Sequence, residues 1–235
     1  MTGNARSGAG GMILHHLSWG LFPGRVTIYL AEKGTIAVDR RETWDEAAMF
    51  LALGEVRKVS PTGKVPVLVT EEGVAIPQSR AILEYLEDRF PEPDLLGAAP
   101  GERARTRELM DVLDQAATHF ATWTQNGSPI FLGQVEQMEG AAIQARAAFF
   151  EQILVLERMA SAGPFLSDDR LTVADCVLAA TLRFAEGLYG VRLPAAAERL
   201  RTIYRNLSSR PSMRPRPFPQ ALKAAAQGLD RSPGN

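Results

Sequence analysis

A stretch rich in proline and glycine, PEPDLLGAAPG at residues 91–101, separates two parts of the chain whose hydrophobic patterns differ. Before it, strand-like segments alternate with segments at helical spacing; after it, strand signals vanish and only helical spacing continues. A chain of 235 residues can build two modest hydrophobic cores. The sequence therefore predicts a mixed α/β domain at residues 12–91, a linker at residues 92–101 and an all-helical domain at residues 102–235.

The predicted α/β domain follows a leader, residues 1–11 (MTGNARSGAGG), which lacks an apolar core and which we expect to be disordered. Apolar residues from Met12 to Leu17 predict a strand. A helix is predicted to begin at Pro23 and to end before Gly34, because proline suits a first helical position and glycine the position after the last. The weakly alternating residues 35–41 predict a second strand.

The rest of this domain is predicted to contain a helix, a hairpin and a further helix. Thr43 and Glu46 have the spacing of a capping box, which predicts a helix over the apolar run that ends at Leu53. Thr-Glu-Glu-Gly at residues 70–73 separates two short apolar segments and is typical of a hairpin turn. Ser79 is the predicted N-cap of a helix that Pro91 ends. The predicted order is β α β α β β α.

The region beyond residue 101 is predicted to form a helical bundle. Thr172 and Asp175 form a second capping-box pattern, which predicts the start of a buried helix. Two other helices are indicated by apolar residues at helical spacing, which are Leu109, Leu113, Ala116, Phe120 and Trp123 in one, and Ile143, Ala147, Phe150 and Leu154 in the other.

The charge and cysteine content favour some classes of partner over others. The formal net charge is −1 and the charges are interspersed, so we expect neither nucleic acid nor a membrane surface as a partner. The single cysteine, Cys176, excludes an intrachain disulfide and a multi-cysteine metal site. We therefore expect no bound metal. Since the chain shows no secretory leader and no apolar stretch of about 18 residues, we also expect a cytoplasmic protein.

Three segments together resemble the cytosolic glutathione transferase superfamily: SPTGKVPVL at 60–68, PQSRAILEYLEDRFPEPDLL at 77–96 and LTVADCVLAATL at 171–182. The resemblance implies an N-terminal thioredoxin-like domain followed by a C-terminal all-helical bundle. It also implies a detoxifying transferase that takes glutathione as co-substrate, acts on a small apolar electrophile and forms a homodimer.

The resemblance assigns glutathione contacts to residues of the first two segments. Val65 is expected to pair its backbone with the cysteinyl backbone of glutathione, beside a cis peptide bond at Pro66. Lys64 is expected to meet the glycyl carboxylate, with a solvated surface lysine as the alternative. Gln78 and Ser79 are expected at the γ-glutamyl end, because the N-terminus of a helix binds a carboxylate. A simple helix cap is the alternative for Ser79.

The group that would stabilise the glutathione thiolate is less clearly marked. Relatives place a Ser, Tyr or Cys in the loop after the first strand, and here the usual serine position falls on Gly20. Ser18 is the only hydroxyl in that loop and is our candidate catalytic residue; backbone amides between Gly20 and Gly24 are the alternative. His15 and His16 are further candidates, although a histidine on a central strand more often has a structural role.

The sequence thus supports an enzyme first and a binding protein second. In the first interpretation the electrophile lies between the domains, against the helix that carries His119, Phe120 and Trp123, which also have the spacing of core residues. In the second, a scaffolding protein retains the fold and the glutathione site without catalysis, and Gly20 is the feature that favours it. A third interpretation, partner recruitment by the Pro- and Arg-rich residues 210–219, rests on composition alone.

Overall fold

The structure is a computed structural model that describes residues 11–45, 50–214, 217–226 and 229. Residues 1–10 of the predicted leader lie outside the described residues. The N-terminal elements are β1 (Met12–His16), α1 (Leu21–Lys33), β2 (Val38–Glu42), β3 (Trp44–Asp45), β4 (Phe50–Leu51), α2 (Gly54–Val59), β5 (Val67–Val69), β6 (Ala75–Pro77) and α3 (Ser79–Arg89). The helices that follow are α4 (Pro100–Gly127), α5 (Glu139–Met159), α6 (Val173–Tyr189), α7 (Glu198–Ser208) and α8 (Gln220–Ala225).

The N-terminal domain is a four-stranded mixed sheet in the order β2-β1-β5-β6. β1 and β2 are parallel, whereas β5 runs antiparallel to both β1 and β6. Leu14 and Leu68 lie opposite each other at the centre of the sheet and are fully buried. This is the thioredoxin-like arrangement that the sequence predicts, with one additional pair of short strands.

Local sequence signals account for several element ends. Gly34 has a φ of 70°, and its N–H donates to the Leu30 carbonyl, so it ends α1 in a left-handed conformation that glycine adopts without strain. At the start of α6, the backbone N–H and the hydroxyl of Thr172 donate to Asp175 at 2.8 and 2.9 Å. The predicted helix end and the predicted capping box are both confirmed.

The helix predicted after Thr43 is wrong within the described residues. The backbone N–H and the hydroxyl of Thr43 both donate to the carbonyl of His16, each at 2.9 Å, so Thr43 continues the sheet instead of capping a helix. β3 and β4 pair antiparallel around residues 46–49, which lie outside the described residues and include Glu46. A short helix, α2, begins only at Gly54.

The C-terminal domain is helical, and α4 begins at Pro100, inside the range predicted as linker. The apolar face predicted for α4 is buried from Leu109 to Trp123. The face predicted for α5 is wrong in part, because Ile143 is 62% exposed and Ala147 is exposed. The buried residues of α5 are Ala142, Ala145, Phe149, Phe150, Ile153 and Leu156.

The domains and the C-terminal tail are joined through α1 and α6. Gly24 of α1 lies so close to α6 that a Cβ there would be 3.0 Å from the Arg183 guanidinium. In the tail, Arg210 donates two hydrogen bonds to Glu32 of α1, at 2.8 and 2.7 Å. The tail therefore packs on α1 as well as on the helical domain. Among the described helices, none has the length and apolar character needed to cross a bilayer.

Candidate functional site

The predicted glutathione contacts converge at one end of the sheet because of its strand directions. His15 of β1 lies opposite Val67 of β5, and Val67 lies opposite Pro77 of β6. The loop after β1, the residues before β5 and the residues after β6 therefore meet at the same edge. Val65 and Gln78, which are 13 positions apart in the sequence, are brought together there.

Val65 and Pro66 lie directly before β5. The peptide bond between them is cis, as expected from the sequence. Pro66 is buried, whereas Val65 is half-buried and its backbone makes no hydrogen bond within the described part of the chain. An unpaired backbone that continues a strand can pair with an extended peptide in the manner of an added strand. Lys64, one residue earlier, is exposed.

Gln78 and Ser79 form the start of α3. Ser79 is the first helical residue and Gln78 is the N-cap, so the predicted cap is displaced by one position and Ser79 makes no side-chain capping bond. Gln78 has a φ of 77°, an uncommon conformation for a non-glycine residue. The first bond of the helix runs from the Ile82 N–H to the Gln78 carbonyl, which leaves the preceding N–H groups available to an anion.

An apolar cleft of about 220 Å³ lies between the two domains. The N-terminal domain contributes residues 17 and 19–23 and Val65, and the helical domain contributes four aromatic side chains: Phe120, Phe131, Phe184 and Tyr189. Of the helix residues expected to face the cleft, Phe120 lines it, Trp123 lies in the core and His119 is not part of the lining. Burial raises the pKa of Tyr189 to about 12, so its phenol is neutral at ordinary pH.

The start of α1 forms one wall of this cleft. Gly20 is its N-cap, and a Cβ there would lie 3.2 Å from atoms of both Leu17 and Pro23. The site is therefore crowded for any side chain larger than hydrogen. Leu21 and Phe22 are the first two helical residues, and both line the cleft. Their N–H groups have no preceding turn to bond to, so the donors available here are backbone amides.

Ser18 does not line this cleft. Its N–H donates to the carboxylate of Glu42 at 3.0 and 3.3 Å, and the residue lines a different, more polar cavity together with His16. His15 is buried in the sheet, and burial followed by the nearby Arg41 charge lowers its pKa. The structure thus brings Val65 together with the loop amides and not with Ser18, His15 or His16.

Two family models match this chain, which are the glutathione S-transferase N-terminal domain over residues 19–89 and the glutathione S-transferase C-terminal domain over residues 102–206. This chain is a member of the glutathione S-transferase superfamily. The two matches correspond to the two observed domains, and the region between them contains the start of α4.

The relatives to which this chain is similar do not all carry the name of a transferase. It is 26% identical over 214 residues to glutathione S-transferase 2 of Saccharomyces cerevisiae, a match that covers 86% of this chain and 88% of the relative. It is 29% identical over 217 residues to FtsZ-localized protein A of Caulobacter vibrioides, covering 86% and 89%. A crystal structure of a glutathione S-transferase domain-containing protein from Marinobacter aquaeolei has a TM-score of 0.74 and 27% identity, covering 86% and 99%.

Sequence reasoning missed part of this transferase-like cleft. Phe131, Phe184 and Tyr189 lie in separate segments of the helical domain, and no motif links them. The amides of Leu21 and Phe22 fall within the stretch from Gly20 to Gly24 that the sequence offers as the alternative to Ser18. Among the described residues, no group of three or more His, Cys, Asp or Glu side chains is arranged to hold a metal ion.

Proposed function

We propose that this protein is a glutathione transferase that binds glutathione and activates its thiolate for attack on a small apolar electrophile. The observation that carries the proposal is the shared cleft. Val65, whose backbone has no hydrogen-bond partner among the residues that the structure describes, lines the same apolar space as the first two residues of α1. A tripeptide that pairs with Val65 would place its cysteinyl sulfur near that helix start.

The glutathione backbone would pair with the backbone of Val65, next to the buried Pro66. Its γ-glutamyl carboxylate would accept hydrogen bonds from the free N–H groups at the start of α3, near Ser79, with Gln78 beside it. Lys64 is exposed on the adjoining loop and would reach the glycyl carboxylate. These roles follow from the resemblance and agree with the positions of the residues.

The thiolate would be stabilised by the N–H groups of Leu21 and Phe22. A free thiol has a pKa of about 8.5, and lowering it by two units requires roughly 2.7 kcal/mol of preferential stabilisation of the anion. A hydrogen bond to a charged group contributes about 1.5 to 3 kcal/mol. Two amides are therefore sufficient, and a hydroxyl from Ser18 is not required.

The electrophile would occupy the aromatic part of the cleft, formed by Phe120, Phe131 and Phe184. Its apolar lining favours an uncharged substrate. Cytoplasmic location, a homodimer and a role in detoxification are the further parts of this proposal, and they rest on the family resemblance.

The decisive experiment is an ultraviolet titration of glutathione bound to the purified full chain, from about pH 5 to about pH 9. A bound-thiol pKa well below about 8.5 is expected if the site activates sulfur. Ser18→Ala separates the two donors: no change in that pKa is expected if the amides act, and a rise of about one to two units if the serine does. Binding with an unshifted pKa would refute the catalytic proposal.

A second candidate function is a binding or scaffolding protein that retains the glutathione site. Gly20 favours it, because it stands where the resemblance implies a Ser, Tyr or Cys. A relative named FtsZ-localized protein A matches this chain over 217 residues, so a related chain carries a name that refers to a partner protein. The same titration decides between the two candidates.

A further inference from the structure

A second cavity, of about 110 Å³, shares no lining residue with the apolar cleft. It lies where β2, the loop after β1, α1, α6 and residues 211–214 of the tail meet. Ser18 and Thr27 contribute from the loop and α1, and Ser212 contributes from the tail. The cavity thus contains both the loop hydroxyl and part of the Pro- and Arg-rich tail, neither of which the glutathione site uses.

Three guanidinium groups line this cavity and come from three different elements. Arg40 belongs to β2, Arg183 to α6 and Arg214 to the segment after α7, and among the described residues no carboxylate lines the space. Because the three arginines are far apart in the sequence, their convergence is a product of the fold. An anion in this space would interact favourably with the positive charges of the guanidinium groups that line it.

Arg183 and Arg214 make no ion pair with any acidic side chain in the described part of the chain. Arg183 is half-buried and packs against Gly24 of α1. Burial lowers the pKa of Arg183, and the opposing influence of Tyr204 is smaller. A guanidinium held inside the protein without a counter-charge is destabilising by itself, so an external anion would be favoured there.

Glu32 and Glu42, whose carboxylates accept hydrogen bonds from residues of the cavity wall, are each held by several donors. Glu32 accepts hydrogen bonds from Arg210 and from the Ser212 hydroxyl. Glu42 accepts from the backbone N–H groups of Ser18, Thr43 and Trp44. These carboxylates stabilise the rim of the cavity without entering it.

The hydroxyl groups differ in their availability. Thr27 donates to the Gly24 carbonyl at 3.2 Å, and Ser212 donates to Glu32. The Ser18 hydroxyl has no hydrogen bond within the described residues, although its N–H does. Ser18 therefore offers a free donor to a ligand in this cavity, next to the guanidinium groups.

We propose that this cavity binds a phosphate group, held by Arg183, Arg214 and Arg40 with a hydrogen bond from Ser18. Guanidinium groups form paired hydrogen bonds with phosphate oxygens, and a doubly charged anion suits several of them better than a single carboxylate. The volume is several times the roughly 10 to 15 Å³ that one water needs, which is room for a phosphate headgroup but not for a tripeptide. The site is independent of glutathione binding.

The test is calorimetric titration of the full chain with inorganic phosphate at constant ionic strength. Saturable binding is expected, and Arg214→Gln should weaken it by about tenfold or more, because a charge-assisted hydrogen bond is lost. Arg192→Gln is the matched control, since it removes the same charge from a side chain that is 83% exposed and lies outside the cavity. Less than a twofold change is expected there.

Three further arms make the result decisive. Arg183→Gln should weaken binding in the same way. If that variant does not fold, Arg214→Gln still tests the proposal, because Arg214 is exposed. Saturating glutathione should leave phosphate binding unchanged. Glycerol phosphate in place of inorganic phosphate shows whether the site takes a free ion or a phosphate monoester, and Arg214-dependent binding of either supports the proposal. Absence of saturable binding to both, equal loss in the Arg192 control, or displacement by glutathione would overturn it.

Discussion

The ring of Phe218 lies directly over Gly187 of α6, so closely that a Cβ at position 187 would be 2.4 Å from ring atom Cε2. The same ring contacts Trp19 and Phe184, with ring centroids 6.2 Å apart in both cases. Since Trp19 and Phe184 line the apolar cleft, the C-terminal tail supports the wall of the candidate active site. Glycine at position 187 is what permits this contact.

Gly187→Ala is expected to displace Phe218 and destabilise the protein, because the methyl group needs the space of the ring. The loss should be about 1 to 3 kcal/mol, typical of overpacking, and binding in the cleft should weaken as well. Gly140→Ala in α5 is the control, since nothing lies within 4 Å of the added Cβ there. Chemical denaturation of the two variants should show a loss for the first and no loss for the second.

Glu32 and Arg210 are expected to be energetically coupled. Two hydrogen bonds join them, and the Glu32 side chain is 8% exposed. A double-mutant cycle with Glu32→Gln and Arg210→Gln should give about 1 to 2 kcal/mol at pH 7, after allowance for the partly exposed arginine. Lys58 and Glu55, whose side chains are 68% and 67% exposed, form a control pair for which no measurable coupling is expected.

The coupling of Glu32 should depend on pH. Burial alone would raise the pKa of Glu32, but hydrogen bonds from Arg210 and Ser212 outweigh it, and the pKa is lowered from its ordinary value of 4.5. A carboxyl with a lowered folded-state pKa contributes stability above that ordinary value and loses it as the pH falls through the folded-state pKa. The coupling should therefore persist at pH 5 and disappear in stronger acid; a coupling that stays constant would contradict this ion pair.

Asp175 is expected to show the opposite pH dependence. Its carboxylate accepts from Leu166 and twice from Thr172, so Asp175→Asn should destabilise the protein by about 2 kcal/mol or more at pH 7. Burial raises the pKa of Asp175 to about 6. A raised folded-state pKa gives stability that is complete below the unfolded value and lost as the pH rises through about 6. The difference between wild type and variant should therefore be larger at pH 5 than at pH 7, as measured by urea denaturation.

The sequence predicts elements well where local signals and packing agree. Gly34 ends α1, and Thr172 with Asp175 starts α6, because each signal involves groups within a few residues of one another. The pattern at Thr43 fails for the converse reason. Its backbone and hydroxyl bond to His16, a contact over 27 positions that no local pattern contains.

The first part of the buried face of α5 was mispredicted because it is built from two small residues, Ala142 and Ala145. Ala142 lies against α4, because a Cβ added to Gly127 of α4 would be only 3.4 Å from the Cβ of Ala142. Close helix contact of this kind buries alanine and leaves the larger Ile143 exposed. A search for large apolar residues therefore selects the wrong side. The cavity lined by Arg40, Arg183 and Arg214 was missed because these three arginines come from segments that are distant in the sequence.

Leu21→Pro tests the amide donor directly. Proline is favoured at the first helical position, and Gly20 already has the extended conformation, φ −71° and ψ 150°, that a residue before proline prefers. The substitution therefore removes one N–H without breaking the helix. If the Leu21 amide stabilises the thiolate, the pKa of bound glutathione should rise by about one to two units.

Leu21→Ala is the matched control, because it also shortens the side chain in the cleft but keeps the N–H. Its bound-thiol pKa should remain close to that of the wild type, and circular dichroism should show the same helix content in both variants. The difference between proline and alanine then isolates a single hydrogen bond. Equal pKa values in the two variants would exclude the Leu21 amide as a donor to the thiolate and leave Phe22 or Ser18.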